Sequence, residues 1–245
     1  MVMALFAGGS ALAGNGPIDF SRTARLSLDA NGKVDLLVFD DAKPGFAKVD
    51  ARLESAIRQW AFVPGSIDGK PMPTQTTLSV ELRATPEGNG DYAINVLGAT
   101  TGLAFQSVKP PEYPSSAMQR GCEGIITVRV DVDGTGAPTQ TWVESSDADC
   151  MKPHLEAAAL TAAKQWRFNV ETVGGHRMAD QARVPVEFCL GISHGTCARW
   201  AKQVADSEHG SGTPASSNMH ITSINSQTKL LTQIAGTTLP APAVP

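Results

Sequence analysis

Gln59–Leu82 reads QWAFVPGSIDGKPMPTQTTLSVEL, and Gln165–Phe188 reads QWRFNVETVGGHRMADQARVPVEF. Laid together at a shift of 106 residues without a gap, eight of the 24 positions are identical: Gln59/Gln165, Trp60/Trp166, Phe62/Phe168, Gly69/Gly175, Met72/Met178, Gln75/Gln181, Val80/Val186 and Glu81/Glu187. Unrelated stretches of ordinary composition would share about one or two. The economical reading is one structural unit used twice. Each copy opens on an aromatic pair and passes a glycine-containing turn (Asp68-Gly69, Gly174-Gly175). Each then ends in alternation: Leu78, Val80 and Leu82 against Thr77, Ser79 and Glu81, and Val184, Val186 and Phe188 against Arg183, Pro185 and Glu187. A period of two marks a strand with one face on a core and the other in water.

Upstream, both copies continue alike. Ala24–Leu28 alternates and runs into Asn31-Gly32; Ile126, Val128, Val130 and Val132 alternate with polar residues and meet Asp133-Gly134. Asn-Gly and Asp-Gly tolerate the positive φ of tight hairpin turns. Leu53, Ala56, Ile57 and Trp60 then fall on one helical face, as do Leu155, Ala159, Ala162 and Trp166, with Pro153 at a tolerated first-turn position. The expected architecture is α+β: two modules, at 20–98 and 105–198, each a three-stranded antiparallel sheet with one packed helix. Trp60 and Trp166 are expected core anchors. Glu81 and Glu187 sit on the wet face. An open sheet has edges that must be covered, blunted or used.

The chain has 245 residues, a formal net charge of −4, 42% hydrophobic and 18% charged residues. It lacks the ~20-residue apolar run of a membrane-spanning helix and a Lys/Arg cluster, so no nucleic-acid partner is expected. The 23 glycines and 16 prolines favour turns and strands over long helices. Residues 1–13 (MVMALFAGGSALA) are uncharged, and Ala11-Leu12-Ala13 fits a signal-peptidase site, so a signal segment and export are expected. If the native N-terminus is longer, an inner-membrane anchor is the alternative. Residues 206–245 are rich in Ser, Thr, Gly and Pro and read as a disordered tail, with Leu230–Ile234 as an unpacked apolar island. Four cysteines in an exported chain suggest disulfides, and they allow three pairings. The short loop between Cys189 and Cys197 closes easily, which would leave Cys122 to pair with Cys150.

Signals for chemistry are weak. Gly65–Lys70 is one residue short of a phosphate-binding loop, with Pro71 where a Mg²⁺-binding hydroxyl would stand, and reads as a turn. Asp131–Gly134 has its glycine too early for a Ca²⁺ loop. His154, His176, His194, His209 and His220 are scattered, without a triad order or a zinc spacing. No enzyme, cofactor or metal is expected.

The second copy carries a recognisable series: Tyr113-Pro114-Ser115-Ser116-Ala117, Gly121-Cys122-Glu123-Gly124, Asp133-Gly134, Ala157-Ala158-Ala159, Trp166-Arg167-Phe168 and Val184–Phe188. In this order and spacing it resembles the C-terminal domain of TonB, the periplasmic energy transducer of Gram-negative bacteria. The first copy carries the resemblance weakly, through Trp60–Pro64 and Asp68–Pro71. The resemblance implies a periplasmic protein that binds an extended segment of a TonB-dependent outer-membrane receptor, or of another envelope protein, by strand addition. It implies contact along Gln181, Ala182, Arg183, Val184, Val186, Glu187 and Phe188. A second contact region would be Tyr113, Pro114, Met118, Gln119 and Arg120. Asn169-Val170 replaces the acidic-proline pair common in the family, and Pro185 removes one donor from the strand. The alternative is a structural module whose repeats pair with each other or form a homodimer through their edges.

Overall fold

The structure is a computed structural model and describes residues 16–40, 44–88, 91–190 and 221–240. In chain order the first region contains β1 (Ile18–Leu28), β2 (Val34–Phe39), a 3₁₀ turn (Pro44–Phe46), α1 (Ala47–Ile57), β3 (Phe62–Val63), β4 (Ser66–Ile67), β5 (Lys70–Pro71) and β6 (Thr74–Gly88). Then come β7 (Asp91–Gly102), β8 (Ala104–Ser107) and α2 (Ser115–Gln119). The second region contains β9 (Gly124–Val132), β10 (Pro138–Ser146), α3 (Lys152–Ala163), β11 (Arg167–Asn169), β12 (Thr172–Val173), β13 (His176–Arg177) and β14 (Asp180–Phe188). Two short strands complete the order, β15 (Thr222–Ser223) and β16 (Lys229–Leu230).

Hairpin, helix, short strand, small hairpin and long strand thus occur in the same order in both regions. The likeness reaches the atoms of the first turn. Asp29 accepts from the backbone N–H groups of Asn31 and Lys33, and Asp133 from those of Thr135 and Ala137. Gly32 and Gly136 both lie at positive φ, 80° and 87°. A Cβ on either would overlap a carbonyl oxygen, that of Phe62 or of Phe168. The equivalent turns are therefore Asp29–Lys33 and Asp133–Ala137, at a shift of 104 residues. Asp133-Gly134 is the turn expected from the sequence, but the left-handed glycine is Gly136. These are longer loops closed by a left-handed glycine, which also twist the strands correctly.

The sheets exceed the three strands expected of each. The first runs β13-β12-β6-β1-β2, with β7 also paired to β6. The second runs β10-β9-β14-β15. All pairings are antiparallel. The small hairpin β12–β13 of the second region adds to the first sheet through Thr172↔Gln75 and Val173↔Thr74, so the regions share a sheet. Two cores result. One packs Leu26, Leu53, Ile57, Leu78 and Val96; the other packs Ile126, Val128, Leu155, Trp166 and Phe168. Burying each such side chain contributes about 1.5–3 kcal/mol. Trp166 is fully buried and donates its indole N–H to the Lys109 carbonyl at 2.9 Å, whereas Trp60 is half-buried against Phe62. The repeated tryptophan is a full core anchor only in the second region.

The reading of 206–245 as a disordered tail is corrected for residues 221–240. This segment is a strap. It pairs with β14, crosses to β3 through Lys229↔Val63 and Leu230↔Phe62, and ends along β7. Ile234 and Leu239 are 6% and 3% exposed in the first core. Polar composition misleads here because the strap is held mainly by its backbone. Val96 donates to the Thr237 carbonyl, Leu239 to that of Ile94, and Arg52 to the carbonyls of Leu239 and Pro240. The expected signal segment 1–13 and the rest of the tail lie outside the described residues.

Candidate functional site

Strand β14 pairs with β9 over its whole length, from Asp180↔Val132 to Phe188↔Gly124. Its other edge is the candidate site. The Gln181 carbonyl accepts from Ile224, so the backbone groups of Gln181 face that outer edge. In an antiparallel strand the direction alternates. Arg183, Pro185 and Glu187 therefore also direct their backbones outward. Ala182, Val184, Val186 and Phe188 direct theirs to β9, and their side chains are buried in the core. Of the seven strand residues expected at the interface, these four are structural in both backbone and side chain. Pro185 occupies an outward position, where it offers a carbonyl and no N–H.

On the polar face, the side chains are tied across the sheet. Gln181 donates to Asp131 at 2.7 Å, and Arg183 donates to Glu144 at 2.6 Å. Arg129 reaches the other Glu144 oxygen at 3.6 Å. Exposed pairs of this kind contribute at most about 1 kcal/mol each. They hold Arg183 over the face in a fixed direction.

The Tyr-Pro element lies at the far end of the same strand. The Tyr113 ring meets Phe188 edge-on at 5.4 Å, and its hydroxyl donates to the Cys122 carbonyl at 2.6 Å. Burial, and then the carboxylates of Glu123 and Asp149, hold this phenol above its ordinary value. Tyr113 is thus a clamp and is only half-exposed. Pro114 begins α2 in extended conformation, and Met118, Gln119 and Arg120 project from it into solvent, Met118 at 49% exposure.

Cys122 and Cys150 form a disulfide with Cα atoms 5.2 Å apart, which pins the start of β9 to the entry of α3. Cys189 is also disulfide-bonded, and Cys197 lies outside the described residues. Asp149 approaches Cys122 and Cys150, but both sulfurs are committed to each other. One carboxylate alone does not make a metal site.

Sequence reasoning missed the elements that meet the strap. Asp180 accepts from the Ser223 hydroxyl and from the Asn225 N–H. Glu171, 2% exposed, accepts from the Ser226 hydroxyl and the backbone N–H groups of Gln227 and Thr228. The one available signal was the apolar island at Leu230–Ile234, of which Ile234 enters the first core and Leu230 packs against it, while Leu231 is exposed.

This sheet, with its clamp, its disulfide and its outward edge, coincides with a known domain. Residues 109–190 match the family of the Gram-negative bacterial TonB protein C-terminal. Protein TonB of Xanthomonas campestris pv. campestris is 38% identical over 94 residues, covering 38% of this chain and 41% of the relative. Protein tonB2 of Pseudomonas aeruginosa is 36% identical over 80 residues, 33% of this chain and 28% of the relative. Protein TonB of Vibrio cholerae serotype O1 is 31% identical over 80 residues, covering 33% of this chain and 32% of that protein. The chain therefore spans well under half the length of these TonB proteins. No helix among the described residues is long and apolar enough to cross a membrane.

Proposed function

We propose that this chain is a non-enzymatic TonB-like binding protein of the periplasm. It recognises an extended segment of a TonB-dependent outer-membrane receptor, or of another envelope protein, by strand addition on the outer edge of β14, in energy-coupled transport. The observation that carries the reading is that β15 already adds to this edge at Ala182↔Ser223 and Arg183↔Thr222. An edge that accepts one extended segment has the hydrogen-bonding geometry to accept another. Arg183 and Gln181 supply side-chain selectivity, and Met118–Arg120 on α2 form a second contact at the other end of the strand. The first region, with the same order of elements, is a second TonB-C-like module.

The test is an NMR titration of the full chain with peptides copied from receptor TonB boxes. Strand addition moves the backbone amides of Gln181–Val184 first. If only α2 amides move, the binding site is Met118–Arg120 and the β14 reading fails.

A second reading is a structural role, in which sheet edges are consumed within the chain or by a second copy. The cover of β6 by β7 from Thr77 to Gly88 favours it. Sedimentation of a tight dimer with slowly exchanging β14 amides would select this reading.

A further inference from the structure

The strap meets the second sheet where strand addition would occur, and it is not a random cover. Ile224 donates to the Gln181 carbonyl at 2.9 Å. The Asn225 N–H donates to Asp180 at 2.9 Å, and the Ser223 hydroxyl bonds the other Asp180 oxygen. Ser223 also lies against Gly102 at the end of β7, where a Cβ would overlap the serine side chain. The position opposite Ala182 is therefore a small seat with a carboxylate at its side. Only a short hydroxyl-bearing residue fits both conditions. Beyond Asn225 the strap is gripped by Glu171, and beyond that by the first core. The grip on β14 itself is short: two paired residues.

We infer that residues 221–225 are a built-in competitor for the β14 edge, and that they display the chemistry an incoming segment must have. A partner displaces Thr222–Asn225 while the rest of the strap stays anchored. Its residue opposite Ala182 is Ser or Thr, bonded to Asp180. This inference rests on the strand-addition reading of the same edge. An intramolecular strand is present at high effective concentration, so the partner binds more weakly than it would to a bare edge.

The experiment uses the full chain and a synthetic peptide of residues 221–227 (ITSINSQ), titrated while β14 amides are followed by NMR. Ile224→Pro removes the N–H given to Gln181; Asn225→Pro removes the one given to Asp180 and serves if the first variant folds poorly. Neither touches Ile234 or Leu239. The expected result is about tenfold tighter peptide binding to either variant than to the unaltered chain, the scale of one net backbone hydrogen bond. A peptide with Leu in place of Ser223 should lose at least about tenfold. Equal binding of ITSINSQ and of receptor TonB-box peptides to the unaltered chain and both variants would overturn the competitor and leave strand addition standing. Absence of binding by both kinds of peptide, with the strap amides exchanging fast in the variants, would overturn strand addition itself.

Discussion

The last strands of the two regions, β6 and β14, occupy equivalent places and have opposite fates. The outer edge of β6 is paired from Thr77↔Gly102 to Gly88↔Asp91 by β7, the next strand in the chain. Among the described residues, the outer edge of β14 pairs with β15, two residues long and supplied by a segment distant in sequence. A hairpin neighbour closes an edge permanently, because it is tethered by a short turn and paired along its length. The strap holds an edge through two paired residues. Among the described residues, the last long strand is thus paired along most of its outer edge in the first region and over two residues in the second.

Substitutions at equivalent positions test how far the two regions differ. The largest effect should come from the unequal tryptophans. Trp166→Ala should cost about 3–5 kcal/mol in urea unfolding, and Trp60→Ala clearly less. Equal costs would mean that the first region has as deep an aromatic anchor as the second. Next, Ile234→Ala should cost about 2–4 kcal/mol, because the strap is part of the first core. A change below about 0.5 kcal/mol would put the strap outside the cooperative fold. Gly32→Ala and Gly136→Ala should each cost about 1–3 kcal/mol and by similar amounts, since both lie at positive φ against a phenylalanine carbonyl. Unequal costs would separate the two turns.

Smaller effects test the clamp and the turns. Tyr113→Phe should cost about 0.5–1.5 kcal/mol through the lost hydrogen bond to Cys122. The raised phenol means that this hydrogen bond is fully present below the ordinary tyrosine range and is lost as pH rises through the folded value. Ultraviolet titration should show one of the two tyrosines ionising late, and Tyr113→Phe should remove that phase. The smallest effect belongs to Asp29 and Asp133. The Lys33 N–H holds the first below 3.8; the Thr135 hydroxyl and then the Ala137 N–H hold the second below it. Their stabilising contribution is present above the ordinary value and fades as pH falls through the folded one. Carboxyl NMR titration should find both depressed together, and Asp133→Ala should flatten only the second.

Much of this was legible in the sequence. The period-two stretches at Leu78–Leu82 and Val184–Phe188, the helical stripes ending in Trp60 and Trp166, and the Tyr-Pro to Trp-Arg-Phe series all lie where alternation and spacing put them. These are local signals, written by burial on one face. Pairing between distant segments could not be read. Nothing local in Thr222–Ser223 says that it meets Ala182–Arg183, and Ile234 buries itself in a core built by residues far upstream. Backbone hydrogen bonds carry no side-chain signature, so a polar strap and a polar tail look alike. The turn differs from its expected place for a related reason: Asp133-Gly134 and Gly136 both offer a glycine, and only the approach of the Phe168 carbonyl decides which one must be left-handed.

The strap also sets an order of events during synthesis. Thr238 bonds Asn95 across 143 residues, and Arg52 bonds the Pro240 carbonyl across 188. The first region is made before the second, yet its core lacks Ile234 and Leu239 until the second has emerged. The second region waits for the strap only at its sheet edge, where Thr222 and Ser223 pair with β14. The region made first is therefore completed only after the second has been made, and contacts of such long sequence separation close slowly.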